Sequence, residues 1–409
     1  MLSILAFGVA QAYGGALDDP KLKGAMVCAM VSDLDGKVIF ERNADIRVMP
    51  ASNEKLFTCA FALAQRGPDY RTETKFWIDR NSVKIDSVGD PSLLASQLLE
   101  LKTKYHIGAG HRVLIKQNYK CDRPDTWQVG DVHNRFAPAI HSFSIDKGGF
   151  ELRAGPGGLS FSPHTPVLNR LKFVPTSKPL SLEYDVISGN LDVTGKLPPA
   201  ETKVDTLSDP NPSLTAISCL TGTKNPIVEE MESLPESGPI ETILSAPMST
   251  MIKDCLQPSD NCYAEHLLFL GSKASNYPAA RKSITEWLKQ TVGLDSTYFR
   301  CEDGCGLSRK NQTTVRNISK LLQWTTLQPT SQLWQDSLAK AGVGTLAKRL
   351  ESVDFVGKTG TLDMVSSLSG FVKCKDGETR IVSVVLNHYG CTETEARKIL
   401  DRFIENVSK

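Results

Sequence analysis

A mostly apolar run from Ala25 to Ser32, a turn at Asp33-Leu34-Asp35-Gly36 and a Val-Ile-Phe run within Lys37 to Glu41 predict a β-hairpin near the start of the chain. Pro50 punctuates the sequence, and Ser52 then stands at a helix start. Leu56, Phe57, Cys59, Ala60, Phe61, Leu63 and Ala64 make that helix apolar on nearly every side, the pattern of a helix buried within a domain. A Ser and a Lys, at 52 and 55, head this buried helix.

From about Thr74 to about Pro235 the period changes. Short strand-like pieces (Thr74 to Ile78, Arg112 to Lys116, Ser142 to Ile145, Leu182 to Ile187) are broken by turns such as Gly155-Pro156-Gly157-Gly158. Helical periodicity returns at Pro239 to Gln257, Ala264 to Gly271, Tyr277 to Val292 and Thr314 to Thr325. Three strand runs follow, at Phe355 to Gly360, Ser367 to Lys373 and Arg380 to His388, the last two joined by Lys375-Asp376-Gly377. Thr392 to Val407 closes the chain as an amphipathic helix. The expected fold class is therefore α+β, an antiparallel sheet layered with helices. Its domain is discontinuous, residues 13–73 and 236–409, and carries an inserted mainly-β region at 74–235.

Charge narrows the function classes. With 47 Lys+Arg against 46 Asp+Glu over 409 residues, no long-range field gathers nucleic acid or an anionic membrane. Residues 1–12 combine a short apolar run with Ala10-Gln11-Ala12, a small-x-small cleavage pattern, and read as the remnant of a secretion signal. No other stretch has the apolar length of a membrane span, so no transmembrane anchor is expected. Of the ten cysteines, Cys301 and Cys305 flank Glu302-Asp303-Gly304; without a nearby His or second Cys pair, a disulfide or two free thiols is expected there rather than a metal loop. The seven histidines show no ligand spacing, which argues against a zinc peptidase. Asp260 is expected to cap a helix and Glu265 to be a surface charge.

Three short motifs carry the chemistry, in order Ser52-Asn53-Glu54-Lys55, Ser259-Asp260-Asn261 and Lys358-Thr359-Gly360. Chance copies of the first occur at Ser144 to Lys147 and Ser337 to Lys340, but only Ser52 heads a strongly apolar helix. There the three-residue spacing puts Lys55 on the face of the Ser52 hydroxyl. A serine hydroxyl is a poor nucleophile until a base takes its proton, and a lysine serves as that base only where burial or a second cation disfavours its ammonium. Lys358 is the candidate second cation. The helix start aims backbone N–H groups where an oxyanion would develop. Lys358 to Thr361 follows Phe355-Val356-Gly357 and should lie on a strand, whose edge can pair with an extended peptide. Gly360 would allow close backbone approach there.

In order and context the three motifs resemble those of penicillin-binding proteins and class A β-lactamases. Met49-Pro50-Ala51-Ser52, Ser259-Asp260-Asn261-Cys262-Tyr263-Ala264-Glu265, Asp303-Gly304-Cys305-Gly306-Leu307-Ser308, Gly342-Val343-Gly344-Thr345-Leu346, Lys358-Thr359-Gly360-Thr361-Leu362 and Phe136-Ala137-Pro138-Ala139-Ile140 look like the low-molecular-mass (class C) D-Ala-D-Ala carboxypeptidases and endopeptidases of the penicillin-binding protein 4 type. Cys305 departs from the small residue usual in that family, and Glu54 is an unusual charge between Ser52 and Lys55.

The resemblance implies a β-lactamase/transpeptidase-like domain with helices on both faces of its sheet. It implies an acyl-enzyme on Ser52, formed from a peptidoglycan stem peptide and trapped by β-lactam inhibitors. Lys55 would be the base, Ser259 a proton relay and Asn261 an orienting group. Lys358 and Thr359 would hold the terminal carboxylate, and the N–H groups of Ser52 and Thr361 would form the oxyanion hole. No metal or organic cofactor is required. A periplasmic or secreted location is implied, with a homodimer allowed. The alternatives are an active serine β-lactamase, disfavoured by the long gap between Ser52 and Ser259, and a catalytically silent module that binds peptidoglycan or a partner. Five intact polar groups, Ser52, Lys55, Ser259, Asn261 and Lys358, argue against silence.

Overall fold

The computed structural model describes residues 13–409, so the secretion signal read in residues 1–12 lies outside the described residues. The chain divides into two compact units. One comprises residues 13–69, Met248–Ser272 and Tyr277–Lys409; the other comprises Tyr70–Pro247 with Lys273–Asn276.

The first unit is built on a six-stranded sheet with the order Ala339–Lys340, Phe355–Leu362, Val365–Lys373, Thr379–Asn387, Met26–Ser32, Val38–Arg42. Every neighbouring pair is antiparallel, and the early hairpin joins through Met26–Ser32 paired with Thr379–Asn387. Alternation along Thr379–Asn387 sends Val382, Val384 and Leu386 into a core with Ile399, Leu400 and Phe403 of the closing helix, Glu393–Val407. That helix begins where Thr392 and Glu395 cap each other's backbone N–H groups. Ser383 points the other way, its hydroxyl 3.1 Å from that of Ser319 on the helix Val315–Thr326. Helices therefore cover both faces.

The helical layer on the second side is centred on Glu54–Arg66, buried from Glu54 to Leu63. The helix Asn261–Ser272 approaches it closely: a side chain at Gly271 would fall 2.9 Å from the Phe61 ring.

The second unit holds a five-stranded sheet ordered Val228–Glu230, Arg112–Gln117, Ser82–Ser87, Glu73–Ile78, Glu241–Leu244. Ser82–Ser87 and Arg112–Gln117 are parallel and need a crossover, which the helix Ala95–Lys104 supplies. Leu98 and Leu101 from it join Ala216, Ile217 and Leu220 of a second helix, Pro212–Thr221, over Phe76, Val83 and Ile85. Two three-stranded sheets share a smaller core around Phe150, Leu152, Tyr184, Leu191 and Leu207.

Three local readings are corrected. The two helices Ala95–Lys104 and Pro212–Thr221 lie in a region read as mainly β, in which no helix was named. Ser142 to Ile145 forms no strand. The helical reading from Pro239 gives way to the strand Glu241–Leu244, paired with Glu73–Ile78; the helix starts only at Met248, and the second unit accordingly runs to Pro247 rather than 235.

Candidate active site

Ser52 sits in a single 3₁₀ turn, Ala51–Asn53, that runs directly into Glu54–Arg66. The turn is held from outside. Ser367 donates to the carbonyl of Pro50 at 2.8 Å, Asn53 donates to Ser369 at 2.9 Å, and the Asn387 side-chain carbonyl accepts from Met49 N at 2.8 Å. Ala51 has a φ of 48° and Ser259 a φ of 65°, left-handed conformations that cost a non-glycine residue of order 1 kcal/mol and cluster where a site is pre-shaped.

Lys55 is fully buried. Its Nζ lies 3.0 Å from Ser52 Oγ, 2.6 Å from Asn261 Oδ1 and 2.7 Å from the carbonyl oxygen of Cys305. Asn261 opens the helix Asn261–Ser272, where Asp260 accepts from Tyr263 N at 3.0 Å as the expected cap. Lys358, also fully buried on the strand Phe355–Leu362, donates to Ser259 Oγ and to the carbonyl of Thr359, both at 2.8 Å. Burial, and then the charge of Lys55, pull the Lys358 ammonium well below its ordinary pKa. Thr359 donates to Thr345 Oγ1 at 2.8 Å. Thr345 belongs to a turn whose Gly344 has a φ of 58° and lies against Gln257, leaving no room for a side chain.

Gly360 brings the strand backbone against the turn that carries Ser52. A Cβ there would stand 2.9 Å from both Ser52 N and the Pro50 oxygen. Gly306 does the same from the far side: with a φ of 86°, its Cβ would meet the Ala51 oxygen at 1.9 Å. Thr361 follows Gly360 on the strand and pairs with Ser366. The structure thus brings Ser52, Lys55 and Asn261 together, joins Ser259 to Lys358, and lays Thr359 to Thr361 alongside.

Behind Lys55 lies a group that spacing alone did not reveal. Glu54 and Glu265 are fully buried, so Glu265 is no surface charge. Burial, then the Asp303 charge, hold the Glu54 carboxyl well above the usual range and push Glu265 up to about 7. Asp303 accepts from Gly306 N at 2.7 Å, Ser308 N at 2.6 Å and Asn311 Nδ2 at 2.8 Å, which fixes the loop that offers the Cys305 carbonyl to Lys55. Thr58 ties the same loop to the helix Glu54–Arg66 through Gly304 O at 2.7 Å. Cys301 and Cys305 are free thiols, the second of the two states expected. Potential ligand atoms of Glu265, Asp303 and Cys305 fall within 4.8 Å of one another. Asp303 is engaged by three donors, and burial with the Asp303 and Glu265 charges pushes the Cys305 thiol well up. The signal for this group was present in Ala264-Glu265 and Asp303 to Ser308, but only folding brings them behind Glu54.

The fold is similar to that of penicillin binding protein 4 from Haemophilus influenzae, with a TM-score of 0.77 at 18% identity over 97% of this chain and 98% of that one. It also resembles a predatory endopeptidase of Bdellovibrio bacteriovorus, with a TM-score of 0.55 at 13% identity over 94% and 92%. In sequence, a D-alanyl-D-alanine carboxypeptidase of an Actinomadura species is 26% identical over 91% of this chain and 80% of its own length. Penicillin-sensitive carboxypeptidase A of Dictyostelium discoideum is 23% identical over 91% and 84%. The motif order, the site geometry and a family match spanning residues 10–407 converge: the chain belongs to the D-Ala-D-Ala carboxypeptidase 3 (S13) family.

Proposed function

We propose that Ser52 is the nucleophile through which this family member hydrolyses D-Ala-D-Ala peptides of peptidoglycan, and that β-lactams acylate the same hydroxyl. The observation that carries the reading is the setting of Lys55. In its neutral form the amine gives its two N–H groups to Asn261 Oδ1 and the Cys305 carbonyl, which aims the lone pair at the Ser52 hydroxyl 3.0 Å away. Ser52 Oγ then bonds to the carbonyl carbon between the two D-alanines while its proton passes to Lys55.

The N–H groups of Ser52 and Thr361 flank Gly360 and serve as the oxyanion hole. When the C–N bond breaks, the leaving amine takes a proton through Ser259, which Lys358 contacts. Thr359 and Lys358 receive the substrate's terminal carboxylate, and Asn261 orients both Lys55 and the substrate amide. Water attacks the ester, releasing the shortened peptide and regenerating Ser52. This scheme uses no cofactor, and the same acyl-enzyme serves both removal of a terminal D-alanine and cleavage of a cross-link.

No helix among the described residues is long and apolar enough to cross a membrane. The reading places the protein in the periplasm or outside the cell, delivered by the leader at residues 1–12, and allows a homodimer; cell fractionation and light scattering test these two points. The function is tested by mixing the protein with fluorescent penicillin and mapping the adduct by peptide mass spectrometry. An adduct on Ser52 supports the acyl-enzyme, rapid release of hydrolysed penicillin supports a β-lactamase instead, and no adduct in folded protein leaves a silent binding module. Chromatography of products from a pentapeptide and from a cross-linked dimer then separates the two peptidase activities.

A further inference from the structure

Within the second unit a cavity of about 430 Å³ opens between the helices Ala95–Lys104 and Pro212–Thr221 and the Ser162–His164 turn. Its walls combine two chemistries. Ala95, Leu99 and Lys102 form one stripe at helical spacing, and Leu99 is 47% exposed although its neighbours Leu98 and Leu101 fill the core. Pro163 adds to this apolar side. Around it stand Lys102, His164 and Lys224, none of which pairs with a carboxylate among the described residues. The Lys102 ammonium leans over Gly222, the left-handed residue (φ 74°) that ends the helix Pro212–Thr221, where a Cβ would lie 2.3 Å from Nζ. Ser218 also lines the cavity; it is only 6% exposed and its hydroxyl has no hydrogen-bond partner among the described residues. Leaving a buried hydroxyl without a partner is unfavourable, a cost that a polar ligand group removes.

We infer that this cavity binds a free carboxylate of a peptide strand other than the one being cleaved, with the carboxylate between Lys102 and Lys224 and an apolar side chain on Leu99 and Pro163. The inference rests on the peptidoglycan reading above and deepens it. A cross-linked polymer offers many carboxylate-ending peptides, and a second hold on one of them raises the local concentration of the rest at Ser52. The cavity is thus an anchoring site for polymeric substrate that a short soluble peptide does not need.

The test measures sedimentation of the full-length protein with insoluble peptidoglycan after penicillin has blocked Ser52. The Lys102→Gln/Lys224→Gln double variant is expected to bind roughly tenfold more weakly, the loss of two solvent-accessible charge contacts. Both side chains reach solvent, so folding is unaffected, and Ser218→Ala gives a second, uncharged perturbation of the same cavity. Penicillin acylation of both variants should match the parent; this separate readout reports on the peptidase reading, so either idea can fail alone. Equal sedimentation of parent and double variant overturns the anchoring site. Converting the polymer's carboxylates to amides should reproduce the loss, whereas binding that survives amidation but is competed by inorganic phosphate overturns the carboxylate assignment.

Discussion

Lys55 Nζ and the carbonyl oxygen of Cys305 lie 2.7 Å apart, though 250 positions separate them in the chain. The contact uses backbone, so it makes no demand on the side chain at 305. It makes a strict demand on the next residue, because Gly306 packs on the Ala51 oxygen with a φ of 86°. Cys305→Ser is expected to acylate with penicillin within about threefold of the parent. Gly306→Ala must push the turn that holds Ser52, and a misplacement of about 1 Å costs on the order of 100-fold in rate. Stopped-flow acylation of both variants checks the pair; a Gly306→Ala enzyme as fast as Cys305→Ser would refute the packing argument.

Ser52→Ala removes the hydroxyl but none of the groups that hold its turn, since those contacts come from Pro50, Asn53 and Met49. Labelling by fluorescent penicillin is expected to vanish while the melting temperature stays within about 2 °C of the parent. A folded Ser52→Ala protein that still carries label places the nucleophile elsewhere.

Glu265 titrates at about 7 in the folded protein against an ordinary 4.5. Between those values the folded state holds a proton that the unfolded state has released, so stability falls as pH rises from about 4.5 to about 7. Glu265→Gln keeps an acceptor for Gly304 N and cannot ionise. Its stability relative to the parent is expected to grow across that window, by on the order of 3 kcal/mol at the upper end. Denaturant unfolding of both proteins at pH 4.5 and 7.5 measures it, and a constant difference would show that Glu265 is not the titrating group.

Lys358 behaves in the opposite sense. Its folded pKa lies well below the 10.5 of the unfolded chain, and in that interval the unfolded state binds more protons, so stability rises with pH. Lys358→Met, which cannot ionise, should therefore show its largest relative stability on the acid side and lose that advantage toward pH 10.5. Penicillin acylation and peptide turnover should fall on the order of 100-fold, the ordinary cost of removing a group that moves or holds a proton. Melting curves at pH 6 and 9.5 read the first effect and kinetics at one pH the second; a relative stability that increases toward alkaline pH runs against the assignment.

The groups proposed to touch the reacting atoms were legible because each sits at fixed spacing on one element: Ser52 and Lys55 a helical turn apart, Ser259 and Asn261 at a helix start, Lys358 to Thr361 along one strand. The layer behind them was not. Glu265 read as a surface charge by residue type, and nothing in the spacing of Glu54 and Asp303 joined them to it; only tertiary packing makes the three a buried cluster. Thr345 contributes through one hydroxyl on a turn, with no periodicity to announce it. In the second unit, Ala95–Lys104 buries only Leu98 and Leu101, too few to stand out as a helical stripe. Pro212–Thr221 did carry a signal, Asn211 as cap and Pro212 in the first turn. Glu241–Leu244 is four residues long, and its strand character comes from pairing with Glu73–Ile78 rather than from its own sequence.

The pairing of Met26–Ser32 with Thr379–Asn387 has a consequence for biogenesis. During synthesis the early hairpin must wait for a partner that leaves the ribosome more than 300 residues later, whereas Tyr70–Pro247 emerges as one stretch and can fold first. Until Thr379–Asn387 arrives, Asn387 is also missing from its place beside Met49, and the turn that carries Ser52 has lost a strut. The turn that carries Ser52 therefore gains its full set of supports only when the last strand docks.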